Sequence, residues 1–211
     1  MALAYAAVAV VLVVALVAAE QLISHFLFNQ PSAANHATST PSAPSPSSAP
    51  SASPSPPTVA VDLGPVLIKI TDLRAGYAVT QTGTKPLCTK CVPQVSSLAV
   101  QLQNKTLKRT ILSAASIAPS ASDARSVLAA LKTYRNASGG WSAVAGLGDE
   151  GYGKSIAYSN LGQTYYVVLW RTGVMTNEIL LIVPKGTLSL QSAIDLAKIQ
   201  QPRAAQALRS A

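Results

Sequence analysis

Cys88 and Cys91, separated by two residues, are the only thiols in the chain. A C-x-x-C pair performs thiol exchange when its first sulfur is held as thiolate at a helix N-terminus beside a βαβ unit. Val92 and Pro93 follow the pair and no amphipathic helix starts there, so that stabilisation is missing. Zinc in a closed structural site takes four ligands. Both histidines, His25 and His36, precede the region that can fold, so a metal would need thiolates from two chains. The pair is therefore expected to close a local disulfide in an oxidising compartment, with a thiol-active redox protein as the alternative.

Asp149 and Glu150 are the only adjacent acids. Neighbouring residues on an extended segment point to opposite faces, so the two are not expected to converge as catalytic carboxylates do. Gly146, Gly148, Gly151 and Gly153 surround them, which suits a tight turn whose acids accept backbone N–H groups. These glycines do not spell G-x-G-x-x-G ahead of a helix, so no dinucleotide or phosphate loop is implied. Tyr152, Tyr158, Tyr165, Tyr166 and Trp170 form an aromatic set with Arg171 beside it. Such residues pack cores and cross-strand pairs, or line a sheet face that takes a ligand, and Tyr165, Trp170 and Arg171 are the candidate ligand surface. Asn104-Lys105-Thr106 and Asn136-Ala137-Ser138 match the N-glycosylation pattern.

The elements that carry these residues begin with residues 2–19, an uncharged run rich in Ala, Val and Leu. As a helix it would span about 27 Å, close to the roughly 30 Å hydrocarbon core of a bilayer. Residues 1–28 are expected to be a transmembrane anchor. Val17-Ala18-Ala19 leaves a cleaved signal peptide as the alternative, although apolar character resumes at Leu22-Ile23 and Phe26-Leu27-Phe28. Residues 29–58 are a Pro/Ser-rich linker with prolines too closely spaced for helix or strand, suited to an extended stalk.

All sixteen Lys and Arg residues lie at Lys69 or later, and only Glu20 of the eight acids precedes Asp62. The basic balance therefore belongs to residues 59–211. Such a surface favours anionic neighbours. The basic residues are nevertheless scattered, and no nucleic-acid partner is expected.

Within 59–211 the β-branched run 66–70 predicts an entry strand, with Ala75-Gly76 as the turn into an extended piece through Thr80. Residues 81–94 predict a loop. Leu98, Val100 and Leu102 alternate with polar positions, so 96–103 predicts a half-buried strand that turns at Asn104-Lys105 and returns over 107–116. Ser120 with Asp123 three residues later opens a helix whose apolar face is Ala124, Val127, Leu128, Leu131 and Tyr134. Runs over 153–159, 164–171 and 174–183, with turns at Asn160-Leu161-Gly162 and Thr172-Gly173, predict an antiparallel meander with 165–170 as a central strand. A last helix starts near Ser189, with a kink or restart expected near Gln201 because of Pro202. The fold class is α+β, an antiparallel sheet of about five to six strands packed by two helices.

The order Gly148-Asp149-Glu150, a strand ending in Arg171-Thr172-Gly173, a second hydrophobic strand and a closing helix with Leu196-Ala197 and Arg203 resembles a broad group of bacterial extracytoplasmic domains. These are secreted, lipoprotein or membrane-tethered sensor-like α+β domains of actinobacterial type. The resemblance covers roughly residues 66–205 and implies a non-enzymatic domain that binds a ligand or senses envelope conditions; no cofactor is expected. Its partners would be the membrane, through the N-terminal helix, and an envelope ligand or protein. The expected place is the extracytoplasmic side of a single-pass anchor.

Overall fold

The computed structural model describes residues 61–84, 95–135 and 140–211, all within the unit Pro56–Ala211. The expected anchor, the linker and the cysteine pair lie outside the described residues. Among those described, no helix is long and apolar enough to cross a membrane.

The strands are β1 (Ala78–Gly83), β2 (Ser96–Asn104), β3 (Arg109–Ile117), β4 (Ser142–Ala143), β5 (Glu150–Tyr158), β6 (Gln163–Thr172) and β7 (Met175–Pro184); helix α1 is Ala121–Tyr134 and α2 is Leu190–Arg209. They form one seven-stranded sheet in the order β1-β2-β3-β7-β6-β5-β4, antiparallel at every pairing. The fold is α+β, with more strands than the sequence predicts. The strand without a predicted counterpart is the short β4, and at the centre of the sheet β7 returns to pair with β3 from Thr110↔Ile182 to Ile117↔Met175. Two meanders, each followed by a helix, are thereby joined edge to edge.

Alternation along the strands places the two helices on opposite faces. On one face Val100, Leu102, Ile111, Val168, Trp170, Ile179 and Leu181 pack under α2, which turns Ala193, Ala197 and Ala204 toward the sheet. On the other, the Thr176 hydroxyl donates to the Ala124 carbonyl of α1 at 3.1 Å. The Ser120 hydroxyl accepts from the Asp123 N–H at 3.1 Å, so α1 starts at the expected cap.

The run 66–70 is not a strand. Val66, Leu67 and Ile68 are all buried in succession, which a pleated strand with one wet face does not allow. No sheet ladder takes their backbone groups: Val66 N–H donates to the Leu63 carbonyl at 3.1 Å, Ile68 N–H to the Ser113 hydroxyl at 3.0 Å, and the Leu67 carbonyl accepts from Arg203 at 3.1 Å. The segment lies beside α2 on the same face and ends in a 3₁₀ turn, Ile70–Asp72. Tyr134 is 39% exposed and leaves the apolar face of α1 at Leu131.

Helix α2 runs through Pro202 without a restart. Pro202 is exposed, while the buried stripe Ala193, Ala197, Gln200 and Ala204 continues in register on both sides of it. Gln200 locks that register by donating to the Ala114 carbonyl at 3.1 Å and to Asn177 Oδ1 at 3.2 Å, and accepting from Ser113 at 2.6 Å. These tertiary contacts hold both halves of the helix against the loss of one backbone hydrogen bond.

Candidate functional site

Strand β5 begins at the acidic pair, and its first residue, Glu150, lies directly opposite Arg171 near the end of β6. Arg171 joins both acids. Its Nε donates to Glu150 Oε1 at 2.8 Å and its Nη1 meets Asp149 Oδ2 at 2.7 Å, with a further bond from Nη1 to the Gly173 carbonyl at 2.9 Å. The expectation that the two acids diverge is corrected by the turn ahead of β5. Asp149 sits outside the strand, where its N–H donates to the Arg171 carbonyl at 2.8 Å and its Oδ2 accepts from the Gly173 N–H at 2.9 Å. Gly148 makes that approach possible with φ +55°, because a Cβ there would collide with the Arg171 carbonyl oxygen.

Glu150 is held ionised. The hydrogen bond from Arg171 lowers its pKa first; burial opposes, and Arg125, with Nε 3.4 Å from Oε1, adds a second lowering contact. A carboxyl held this way is a poor general acid and a weak base near neutral pH.

Above this corner α1 and β5 border an open cleft of about 340 Å³ lined by Arg125, Leu128, Lys132, Trp141, Glu150 and Tyr152 among others. Arg125, Leu128 and Lys132 share one side of α1 by their three- and four-residue spacing, while Glu150 and Tyr152 share a face of β5 by alternation. The Lys132 ammonium sits 3.4 Å from the centroid of the Tyr152 ring, a cation–π contact. Trp141 is fixed by its indole N–H donating to the Lys132 carbonyl at 3.2 Å. On the same face of β5 as Tyr152, Lys154 is buried with its ammonium 5.6 Å from the Trp141 ring.

Deeper under α1, Arg135 Nε donates to Glu178 Oε1 at 2.7 Å and Nη2 to Oε2 at 3.2 Å, a bidentate pair with Glu178 fully buried on β7. Burial alone would depress the guanidinium, and the Glu178 carboxylate outweighs it, so the Arg135 pKa is raised.

The candidate surface Tyr165, Trp170 and Arg171 is not one surface. Trp170 is fully buried on the α2 face, whereas Tyr165 and Arg171 lie on the α1 face. Tyr165 packs on Tyr158 with centroids 4.5 Å apart, and Arg171 is occupied by the two acids. Asn104 is buried, its Oδ1 accepting from the Leu107 N–H at 3.0 Å, so the sequon there is not open to modification. Asn136, Cys88 and Cys91 lie outside the described residues. Sequence reasoning missed the cleft-lining cations. The available signal was Arg125 and Lys132 seven residues apart, two turns along one side of α1.

No protein-family model matches the chain. No curated protein matches it either. One solved structure does. The chain is similar to the extracellular domain of PknH from Mycobacterium tuberculosis, with 9% identity and a TM-score of 0.49 over 70% of this chain and 97% of that one.

Proposed function

We propose that this chain is a non-catalytic extracytoplasmic domain that binds or senses an envelope ligand through the α1–β5 cleft. The observation that carries the reading is the make-up of that cleft. Two cations, Arg125 and Lys132, and two aromatic rings, Trp141 and Tyr152, line it, while Glu150 already serves Arg171. This combination suits a small anionic ligand with a planar or apolar portion, which the rings would cover and the cations would orient. The apolar run 2–19 and the Pro/Ser tract after it support display from a membrane.

Titration calorimetry of the full chain against aryl phosphates and aryl carboxylates tests the reading. Saturable binding that weakens at least tenfold in Lys132→Ala and Tyr152→Ala is expected. Heats that are unchanged by both substitutions would remove the cleft from consideration. The same compartment sets the expected state of Cys88 and Cys91 as one local disulfide. Alkylation without reductant followed by mass measurement should leave both sulfurs unmodified, and two labelled thiols would contradict it.

A further inference from the structure

One end of the sheet collects exposed cations and exposed leucines on three neighbouring connections. The β2–β3 hairpin carries Lys105, Leu107 and Lys108 at its tip, closed by the pair Asn104↔Arg109. Pairing of Thr110 with Ile182 sets this hairpin beside the end of β7, where Lys185 is exposed. The Lys185 N–H donates to the Gly162 carbonyl at 2.9 Å and ties in the β5–β6 turn that bears Leu161. With strands about 4.8 Å apart, the five strands from β2 to β5 place these tips across roughly 20 Å.

Leu107 and Leu161 are 44% and 48% exposed. They are not fraying ends. The hairpin is pinned by Asn104 Oδ1 accepting from Leu107 N–H, and Lys108 takes φ 50°, a left-handed conformation uncommon for a lysine. Isolated exposed leucines need no explanation. Two of them, at hydrogen-bonded turns among cations, form a pattern.

Among the described residues none of Lys105, Lys108, Arg109 and Lys185 has an acidic partner, and the acids are engaged or set apart elsewhere. Asp149 and Glu150 serve Arg171, Glu178 serves Arg135, and Asp72 serves Arg203. Asp123 bonds Ser120 at the far end of α1, Asp195 lies more than a turn into α2 and bonds Gln191, and Asp62 bonds the Gly64 N–H. A positive surface with apolar tips and no acid among them complements an anionic lipid bilayer, where phosphates meet the cations and the acyl boundary takes the leucines.

We propose that this end of the sheet docks the domain onto an anionic bilayer surface. The inference goes beyond the cleft and is independent of it. The occupant is argued from charge complementarity, from the leucines, which a soluble polyanion would not reward, and from the uncharged apolar run at 2–19 of the same chain. A membrane-attached stalk would keep the docking surface at high effective concentration near lipid.

Hydrogen exchange of the full chain mixed with vesicles decides the proposal. Vesicles containing phosphatidylglycerol should slow exchange at residues 105–109, 159–162 and 185–187, and vesicles of phosphatidylcholine alone should not. Each of Lys105→Glu, Lys108→Glu and Lys185→Glu should weaken the effect by roughly fivefold or more. Leu107→Ser with Leu161→Ser should abolish it while the circular dichroism spectrum stays native. Equal exchange with both lipids overturns the proposal. Protection that survives the double leucine variant, or that soluble polyphosphate reproduces, also overturns it and makes the surface a site for anionic polymers.

Discussion

Arg171 is the residue on which the corner around β5 turns, because one guanidinium, 7% exposed, answers two carboxylates and a backbone carbonyl. Arg171→Ala would leave Glu150 and Asp149 side by side, with Arg125 as the remaining ion-pair partner among the described residues. We expect a loss of about 2–4 kcal/mol in urea unfolding, below the largest values for buried pairs because Asp149 is 47% exposed. Arg171→Lys should recover little of it, since one ammonium cannot reproduce the fork. The same chemistry sets an acid limit. Hydrogen bonds from Arg203 to Asp72 and from Arg171 to Glu150 lower both carboxyls from 3.8 and 4.5, against the opposing effect of burial. In acid the unfolded chain then binds more protons than the folded one, so their contribution is complete above these ordinary values and drains away as pH falls through the folded ones. Unfolding midpoints measured between roughly pH 2 and 6 should fall in acid, and Arg203→Ala should flatten the slope.

Helix α1 is held to the sheet by polar as well as apolar contacts, and the Arg135–Glu178 pair at its end is the ion pair among them. Glu178→Gln would leave a buried guanidinium without its counter-charge and should cost about 3–5 kcal/mol, read from the denaturation midpoint. Replacing both partners with leucine should restore much of that stability, because neither charge then needs compensation. At the start of the helix, Ser120→Ala removes the acceptor for the Asp123 N–H and should cost about 1 kcal/mol by the same measurement. The two variants separate the functions of the ends: the cap starts the helix, while the ion pair fixes where its last turn lies over β7.

At the scale of the molecule, the seam between β3 and β7 turns two meanders into one sheet, and helices then cover it from both sides. Among the described residues, every buried core residue lies at Leu63 or later, with Val61 packed against them. A fragment starting at Thr58 should therefore unfold in a single transition, with calorimetric and van't Hoff enthalpies that agree. A broad or two-step transition would mean that part of the core is supplied by the residues before it.

The sequence alone determined what depends on neighbours along the chain. Alternation at Leu98, Val100 and Leu102 set the face of β2, Ser120 with Asp123 set the start of α1, and Gly162 and Gly173 marked the turns of the second meander. Contacts between distant residues decided the rest. The hydrophobic run 66–70 has strand composition, yet Ser113 and Arg203 take its backbone groups and make it a buried strap. Pro202 signals a break, yet the stripe around Gln200 carries α2 past it. Asp149 and Glu150 diverge if both are read as extended, and a left-handed glycine with the guanidinium of Arg171 draws them together. The cleft and the basic end of the sheet follow the same rule. Each is built from side chains far apart in sequence, and only the β-ladder and the docking of the helices bring them to one place.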